Sequence, residues 1–467
     1  MRDNLHLLIN GRPVDVRGDE AFETLSDFLR RRSGLTGTKV VCAEGDCGAC
    51  AVLIGRLQAA TNQLEYSSVC SCILRMFQLD ATHIVTIEGL KNGDNLNPIQ
   101  ESMVKCHGAQ CGFCTPGMVV SLYDAIQHEG KLTANSARRG LVGNLCRCTG
   151  YDSIIRAAVE TDTSKLKPLD RDASPLKDSA AEEVSITTDQ FRFFKPTSLP
   201  SALKFRHENP ACLIVAGATD LGVQCNKGTR QLSVVMSTLG LPELNTISGT
   251  EDALLVGGGA TLTQLEKITT DSLPELSRFL AYFGSPLIKN AGTLAGNLVN
   301  GSPIADTVPA LFALDAEIQI ASTEGSRWVN IHQFYNGYRK TVLTPRELVT
   351  NIRIPLPDKS DTFKLYKVSR RKDLDIASFG AAVWMRRNGI IDDVRIAYGG
   401  VAPTVVRVPA AEALLRGKTA TLELFEEAGR AARAEVSPIT DVRGSSDYRL
   451  ALAENILVKF WHDLSET

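Results

Sequence analysis

Residues 39–50 read Lys-Val-Val-Cys-Ala-Glu-Gly-Asp-Cys-Gly-Ala-Cys, and their three thiols, Cys42, Cys47 and Cys50, have the spacing C-x4-C-x2-C. With a fourth thiol further along the chain, this spacing is typical of a [2Fe-2S] cluster. The stretch therefore predicts an electron-carrying loop near the N-terminus.

The fourth ligand of this first quartet is left open by spacing, because Cys70 and Cys72 both lie near the expected position. We favour Cys72, which makes Cys70 a small buried hydrophobic residue. Gly45 and Gly48 fit a cluster loop, since backbone N–H groups approach sulfur closely where no side chain intervenes.

A second quartet consists of Cys111 and Cys114, spaced C-x2-C, with Cys146 and Cys148, spaced C-x-C. Thr-Pro follows Cys114 directly, which is typical of a helix start. A helical stretch also follows Cys148. We therefore expect both pairs at helix N-termini, where the positive end of the helix dipole and free N–H groups stabilise thiolates.

The alternative for the second quartet is a structural zinc site, because four thiolates also suit Zn²⁺. The C-x-C spacing is an awkward chelate for one tetrahedral ion, and the first cysteine loop lies just upstream, so an iron-sulfur site is favoured. The remaining thiols, Cys106, Cys212 and Cys225, are interpreted as ordinary buried cysteines.

The overall composition predicts a globular chain of about two to four domains, with 43% apolar residues among 467. Lys plus Arg number 51 against 53 Asp plus Glu, so no bulk charge attracts nucleic acid or an anionic membrane. Neither a signal peptide nor an apolar membrane span is recognisable, and we expect a cytoplasmic protein whose thiols stay reduced.

The N-terminal segment is predicted to form a β-hairpin around Asn10-Gly11, followed by a helix carrying Leu25, Phe28 and Leu29. With the cysteine loop and a strand from Ala51, this indicates a ferredoxin-like α+β unit. Further along, residues 166–190 are polar and lack an apolar period, which is typical of a linker.

Two glycine-punctuated runs, 217–222 and 292–297, could cradle a dinucleotide phosphate, because consecutive N–H groups form an anion-binding concavity. Thr219, Thr293 and Asn297 add short hydrogen-bonding side chains. A G-x-G-x-x-G fingerprint is missing, and each run alone is more often a turn.

Three motifs occur in order, and together they are specific: 44–50 (EGDCGAC), 110–117 (QCGFCTPG) and 144–151 (NLCRCTGY). On these residues the chain resembles the xanthine dehydrogenase family of molybdenum hydroxylases. Segments 364–371, 398–403 and 441–445 extend the resemblance over nearly the whole chain.

The resemblance implies a multidomain α+β protein with a β-grasp ferredoxin-like domain at 1–85 and a four-helix [2Fe-2S] domain at 86–165. After the linker it implies a vanillyl-alcohol-oxidase type FAD-binding domain at 191–358 and a C-terminal flavoprotein domain at 359–467.

The resemblance also implies which residues contact FAD. Carried over position by position, they are Leu213, Ile214, Val215, Ala216, Gly217, Ala218, Thr219, Asp220, Leu221, Phe283, Thr293, Leu294, Ala295, Gly296, Asn297, Asp306, Val349 and Lys367. In relatives that use nicotinamide, residues corresponding to Tyr338 and to Asp373 or Asp375 lie by the flavin.

Two clusters and a flavin form a relay, because flavin exchanges one electron with iron-sulfur and two with NAD⁺ or dioxygen. The resemblance implies a molybdenum-pterin centre on a separate large subunit, an (αβ)₂ heterotetramer, purine hydroxylation and NAD as acceptor. One alternative is the equivalent subunit of another molybdenum hydroxylase that acts on a different N-heterocycle or an aldehyde, and carbon monoxide dehydrogenase and aromatic hydroxylases share the same relay. A zinc-binding scaffold is the non-catalytic alternative.

Overall fold

The computed structural model describes residues 1–58 and 61–465, which divide into two compact units. Unit 1 comprises Met1–Pro242 and Ser285–Gly292, and unit 2 comprises Glu243–Gly284 and the chain from Thr293 onward. Within the described residues, the helices are too short or too polar to cross a bilayer.

Unit 1 begins with the predicted hairpin, which is confirmed: strands β1 and β2 pair across Asn10 and Gly11, whose φ angles are 50° and 79°. A short helix α1, Leu25–Asp27, continues into a π-helical turn at Phe28–Arg32. The sheet has the order β2-β1-β5-β3-β4, with β1 Asn4–Ile9, β2 Arg12–Arg17, β3 Ala51–Gln58, β4 Gln63–Cys70 and β5 Thr82–Val85.

Four helices follow, as expected for the second cluster region: α2 Pro98–Lys105, α3 Thr115–Glu129, α4 Ala134–Gly140 and α5 Asp152–Glu160. Met118 and Leu122 of α3 belong to the same buried cluster as Cys50 and Leu53 of the preceding sheet. Because one core joins sheet and helices, burial of apolar surface fixes the two cysteine regions against each other.

The rest of unit 1 contains a second sheet of order β6-β7-β9-β8. Its elements are α6 Lys177–Ala181, β6 Val184–Thr187, β7 Arg192–Lys195, α7 Leu199–Glu208, β8 Leu213–Val215, α8 Leu221–Asn226 and β9 Val234–Ser237. Segment 166–190, predicted as a linker, thus contains a helix and a strand. Val184 and Ile186 are buried on one face of β6, an alternation too short to stand out in the sequence.

Unit 2 is built on a five-stranded sheet β10-β11-β16-β12-β13, a four-stranded sheet β17-β18-β19-β20 and a small pair β14-β15. Its strands are β10 Ile247–Gly249, β11 Ala253–Gly257, β12 Glu317–Ser322, β13 Gly325–Asn330, β14 Tyr335–Gly337, β15 Lys340–Thr341, β16 Leu348–Pro355, β17 Thr362–Val368, β18 Phe379–Asn388, β19 Ile390–Gly399 and β20 Val406–Arg407.

The remaining helices are α9 Leu262–Ser272, α10 Pro274–Leu280, α11 Pro286–Lys289, α12 Leu294–Val299, α13 Val308–Ala313, α14 Pro409–Leu415, α15 Leu422–Ala434 and α16 Ser446–Ser465. Of these, α11 belongs to unit 1. Two buried cores support unit 2, one around Leu265, Leu311 and Ile352 and the other around Phe379, Phe425 and Phe460. The expected mixed α and β, multidomain fold is confirmed.

Candidate functional site

The first quartet converges in the loop between α1 and β3 and at the end of β4. The Cys42 thiol contacts those of Cys47 and Cys72, and the Cys50 thiol contacts those of Cys70 and Cys72. Contact with Cys47, and then with Cys72, holds the pKa of Cys42 well below its usual range. The same contacts raise the pKa of Cys47 and Cys72, so it is the convergence of the four side chains that fits a ligand set.

Backbone groups in this loop face sulfur, as its glycines led us to expect. The N–H of Glu44 donates to Cys42 Sγ at 3.4 Å. Gly45 and Gly48 have φ angles of 82° and 65°, values that favour glycine. The loop therefore turns its N–H groups inward because glycine permits the left-handed backbone.

The second quartet forms two thiol pairs. Cys148 Sγ lies 3.6 Å from Cys111 Sγ, and Cys114 contacts Cys146. Burial, together with the contact from Cys146, raises the pKa of Cys114 to about 12. Two pairs suit a [2Fe-2S] cluster, which places two thiolates on each iron.

The position of these pairs relative to helices is only half as predicted. Cys114 is the N-cap residue of α3, as expected. Cys146 and Cys148 instead precede a turn, because Gly150 and Tyr151 adopt left-handed φ angles of 66° and 71° before α5 begins. The helix-start expectation was wrong for this pair, since two left-handed residues separate it from the helix.

Both four-thiol sets are recognised by contacts between their thiols. Across residues 1–58 and 61–465, no group of three or more His, Cys, Asp or Glu side chains is placed to hold a metal ion. The observed convergence is of thiols in mutual contact, which is the donor chemistry of a sulfide-bridged pair of irons.

The two cysteine loops are joined directly by hydrogen bonds. Leu145 N–H donates to Cys47 O at 3.0 Å, and Asn144 Nδ2 donates to Gly48 O at 3.3 Å. A Cβ on Gly48 would lie 2.5 Å from the backbone oxygen of Gly143. Close approach of the two loops thus requires glycine at this position.

Helix α8 holds the other side of the first quartet, a contact that sequence reasoning missed. Asn226 Nδ2 donates to Cys72 O at 2.8 Å and to Ala43 O at 2.9 Å. A Cβ on Gly222 would lie 2.1 Å from Ile73 O. No local pattern identifies Asn226, because its partners lie about 150 residues or more away in the chain.

The first flavin candidate run, 213–221, forms a strand, a turn and the start of a helix in unit 1. Leu213–Val215 is β8, Ala218 has a φ of 53°, and α8 begins at Leu221. A Cβ on Gly217 would lie 1.8 Å from Ala291 O, so only glycine fits there. In the same turn, Ala216 O accepts a hydrogen bond from Gln78 Nε2 at 3.1 Å.

In unit 2, three flavin candidates that are distant in sequence meet. Lys367 Nζ lies 2.7 Å from Asp306 Oδ2 and 5.9 Å from the centre of the Phe283 ring. Burial raises the pKa of Asp306, and the Lys367 ammonium opposes that shift. Asp306 Oδ1 is buried without a hydrogen-bond partner. A buried acceptor of this kind needs a donor, which a ligand group would supply.

The other unit 2 candidates lie on regular elements. Thr293 caps α12, accepting a hydrogen bond from Gly296 N at 2.9 Å. Asn297 Oδ1 accepts one from Thr307 at 2.7 Å, and Val349 lies on β16. Leu294 and Ala295 are buried in the core of the unit.

A cavity of about 400 Å³ opens beside Lys367. Its basic lining residues are Arg278, Lys367, Arg371 and Lys372, with Phe279, Tyr282 and Glu275 among the others. Of the nicotinamide candidates, Asp375 accepts hydrogen bonds from Arg371, which holds the pKa of Asp375 below its usual range. Tyr338 is 60% exposed.

Family models match four successive parts of the chain. They are the 2Fe-2S iron-sulfur cluster binding domain at 7–76, the [2Fe-2S] binding domain at 86–159, the FAD binding domain in molybdopterin dehydrogenase at 189–357 and the CO dehydrogenase flavoprotein C-terminal domain at 364–464. The chain belongs to the molybdenum hydroxylase family. Within that family it combines FAD-binding and [2Fe-2S] domains in one polypeptide.

Curated molybdenum hydroxylases resemble nearly the whole chain. Xanthine dehydrogenase/oxidase of Gallus gallus is 27% identical over 98% of this chain, and xanthine dehydrogenase of Drosophila subobscura is 28% identical over 99%. The chain spans only about 40% of the length of these relatives.

Solved molybdenum hydroxylase structures cover a smaller part. A carbon monoxide dehydrogenase chain from Hydrogenophaga pseudoflava has a TM-score of 0.56 and 28% identity, covering 59% of this chain and 96% of its own length. A chain of quinoline 2-oxidoreductase from Pseudomonas putida 86 has a TM-score of 0.55 and 26% identity, and it covers 60% of this chain and 98% of its own length.

Proposed function

We propose that this chain is the electron-transfer small subunit of a xanthine dehydrogenase. Electrons would pass from a molybdenum-pterin centre on a large partner subunit through the second quartet, then the first, to FAD and on to NAD⁺. When bound, the clusters supply one-electron carriers, and the flavin links them to a two-electron acceptor.

The observation that carries this proposal is the continuous packing within unit 1. Leu145, next to Cys146, donates its backbone N–H to the carbonyl of Cys47, so a hydrogen bond joins the two cysteine loops. Asn226 ties the other side of the first quartet to α8, which continues the candidate flavin run. These contacts support the proposed order of second quartet, first quartet and flavin segment.

The entry side is supported by exposure around the second quartet. Cys111 and Cys148 are exposed, and Phe113 and Leu145 present 45% and 47% of their surface beside them. Apolar side chains next to ligand thiols suit a surface that a partner subunit covers. An (αβ)₂ assembly with the large subunit is the form we propose, in the cytoplasm, where thiols stay reduced.

FAD is proposed to be held by the eighteen candidate residues named from the resemblance. Gly217 lets its turn pack against the Ala291 carbonyl, Asp306 Oδ1 offers a buried acceptor, and Phe283 offers a ring face. The proposed domains keep the predicted boundaries, 1–85, 86–165, 191–358 and 359–467.

Domain content favours relatives that carry both parts in one polypeptide, as xanthine dehydrogenases and aldehyde oxidase 3 of Rattus norvegicus do. A single xanthine dehydrogenase polypeptide aligns with 98–99% of this chain. The carbon monoxide dehydrogenase chain aligns over 96% of its own length but covers only 59% of this chain. NAD⁺ as acceptor is supported by the basic cavity beside Lys367, because pyrophosphate carries negative charge.

A different substrate is the second candidate function. Carbon monoxide dehydrogenase and quinoline 2-oxidoreductase both have chains similar in structure to this one. We therefore propose to purify the complex with its partner chain and to compare turnover of xanthine with NAD⁺, dioxygen, carbon monoxide and quinoline. Turnover of carbon monoxide or quinoline without turnover of xanthine would contradict the purine assignment.

Cofactor binding is tested on the purified chain. The wild type should be red-brown, with flavin and iron in the visible spectrum and two paramagnetic signals after reduction. Cys47→Ser should remove one signal and Cys111→Ser the other, each with half of the iron, while Cys212→Ser leaves both. Colourless protein containing zinc, or signals unchanged in both ligand variants, would refute the proposal.

A further inference from the structure

Arg75 is a half-buried arginine beside the first quartet. It lies three residues after Cys72 in the chain. Its guanidinium donates to Phe22 O at 3.3 Å and to Asn226 Oδ1 at 2.9 Å, and both of these acceptors are neutral. Its Nε is buried without a hydrogen-bond partner. A permanent positive charge is therefore held here by neutral groups.

The charge on Arg75 is poorly compensated. Across residues 1–58 and 61–465, no ion pair holds this guanidinium, and the carboxylate whose charge acts on it, that of Asp27, already pairs with Arg31. Burial lowers the pKa of Arg75, because the protein interior solvates a charge less well than water. The guanidinium nevertheless stays protonated. Since burying a charge in this way costs folding free energy, packing alone does not account for an arginine at this position.

The carboxamide of Asn226 connects this charge to the first quartet. Its Oδ1 accepts from Arg75, and its Nδ2 donates to Cys72 O at 2.8 Å and to Ala43 O at 2.9 Å. Cys72 is a proposed ligand, and Ala43 directly follows another, Cys42. One side-chain amide thus separates a cation from the backbone at both of these ligand positions, and successive hydrogen bonds of this kind polarise one another.

We propose that the Arg75 guanidinium, held by Asn226 beside Cys72, raises the reduction potential of the first cluster. Reduction adds one negative charge to a cluster, and its potential depends on the charge and hydrogen bonds around it. A permanent cation nearby therefore favours the reduced form, which makes the first cluster a better acceptor for electrons from the second. The inference rests on the proposed function, since it requires that the cluster be bound.

The size of the effect follows from the separation along the chain. Three residues span at most about 11 Å between Cα atoms. At an effective dielectric constant of about 20, a unit charge roughly 11 Å from the added electron changes the reduction equilibrium about tenfold. A tenfold change corresponds to about 59 mV for one electron.

Two variants of Arg75 separate its charge from its packing. Arg75→Gln removes the charge and should lower the potential of the first cluster by about 59 mV, whereas Arg75→Lys keeps the charge and should stay nearer the wild type. The matched control is Arg206→Gln. Arg206 also donates to a backbone carbonyl, that of Cys212, at 2.6 Å, and its Nε is likewise buried without a hydrogen-bond partner. Because Cys212 is not a proposed ligand, this control should shift neither potential.

A second pair of variants tests the charge while Arg75 stays in place. Cys225 precedes Asn226 on α8, and its side chain contacts that of Arg75. Cys225→Asp places a carboxylate beside the guanidinium, so the resulting ion pair should cancel much of its field and lower the potential of the first cluster. Cys225→Asn has nearly the same shape without the charge and should keep the wild-type potential. This pair decides the question if Arg75→Gln does not fold or does not bind iron.

The experiment is a redox titration of the full-length, cofactor-loaded chain followed by electron paramagnetic resonance, with iron content, flavin content and melting temperature measured for each variant. The signal that disappears in Cys47→Ser identifies the first cluster. Its potential should fall in Arg75→Gln and in Cys225→Asp, and the potential of the second cluster should stay the same in all variants.

Three results would overturn the inference. One is an unchanged first-cluster potential in Arg75→Gln and Cys225→Asp that retain full iron content. Another is an equal shift in Arg75→Lys and Arg75→Gln, which would assign the effect to packing. The third is an equal shift in Cys225→Asn and Cys225→Asp, which would do the same for α8. A wild type without iron would instead refute the proposed function.

Discussion

The contact between the two cysteine loops is tested most directly by Gly48→Ala. Gly48 has a φ of 65°, and a Cβ there would lie 2.5 Å from both Asn144 Nδ2 and the backbone oxygen of Gly143. The matched control is Gly417→Ala in the turn after α14, where φ is 76° and nothing lies within 4 Å of the added Cβ. Both variants share the cost of a left-handed alanine, and only one of them forces the loops apart.

The difference between the two variants can be worked out from these contacts. The left-handed conformation costs about 1–2 kcal/mol in each. Gly48→Ala adds about 1–3 kcal/mol for overpacking against backbone and about 1 kcal/mol for the weakened bond from Asn144 to Gly48 O. Opening of the loops should thus be easier by about 2–4 kcal/mol than in the control, roughly 30- to 1000-fold.

The assay is the rate of iron release to a chelator from the oxidised, cofactor-loaded chain, followed by loss of visible absorbance. Gly48→Ala should release iron at least about 30-fold faster than Gly417→Ala, in line with the lower end of that range. Equal rates in the two variants would refute the interpretation that loop contact protects the clusters.

Three further predictions concern other parts of the molecule. Burial lowers the pKa of His83 below its usual 6.5, so the free energy of unfolding should fall as pH drops below 6.5, by at most about 1.4 kcal/mol per pH unit. Urea titrations at a series of pH values should show a weaker pH dependence of this free energy for His83→Gln. Lys367→Met should lower the melting temperature and the amount of bound flavin, because a buried Asp306 carboxylate without its partner costs about 3–5 kcal/mol of folding free energy. Adding Asp306→Asn to this variant should restore the melting temperature. Asn226→Leu removes two hydrogen bonds of about 1 kcal/mol each beside the first quartet. Only one of the two paramagnetic signals should therefore be lost faster than in the wild type.

Much of the fold of unit 1 was predictable because its signals are local. The Asn10-Gly11 hairpin follows from two residues that tolerate positive φ, and the observed angles agree. Helix α3 follows from Thr115-Pro116 and the apolar period after it. The strand at 184–187 inside the expected linker was not predictable, because four residues cannot display an apolar period.

The candidate site was predictable only within each loop. Spacing identified Cys111 with Cys114 and Cys146 with Cys148 but could not pair them, and the structure pairs Cys111 with Cys148 and Cys114 with Cys146. The cysteine spacing also did not reveal the left-handed turn at Gly150, which separates Cys146 and Cys148 from α5. Pairing across loops depends on packing between segments that no local pattern describes.

The sequence by itself determined which thiols can share a cluster loop, because covalent spacing limits how far neighbouring cysteines can separate. Only the tertiary structure decided which distant residues meet: Leu145 with Cys47, Asn226 with Cys72, and Asp306 with Lys367. Those contacts join residues from 61 to 154 positions apart. They form because burial of a shared core brings distant segments together, and chain order alone carries no record of that geometry.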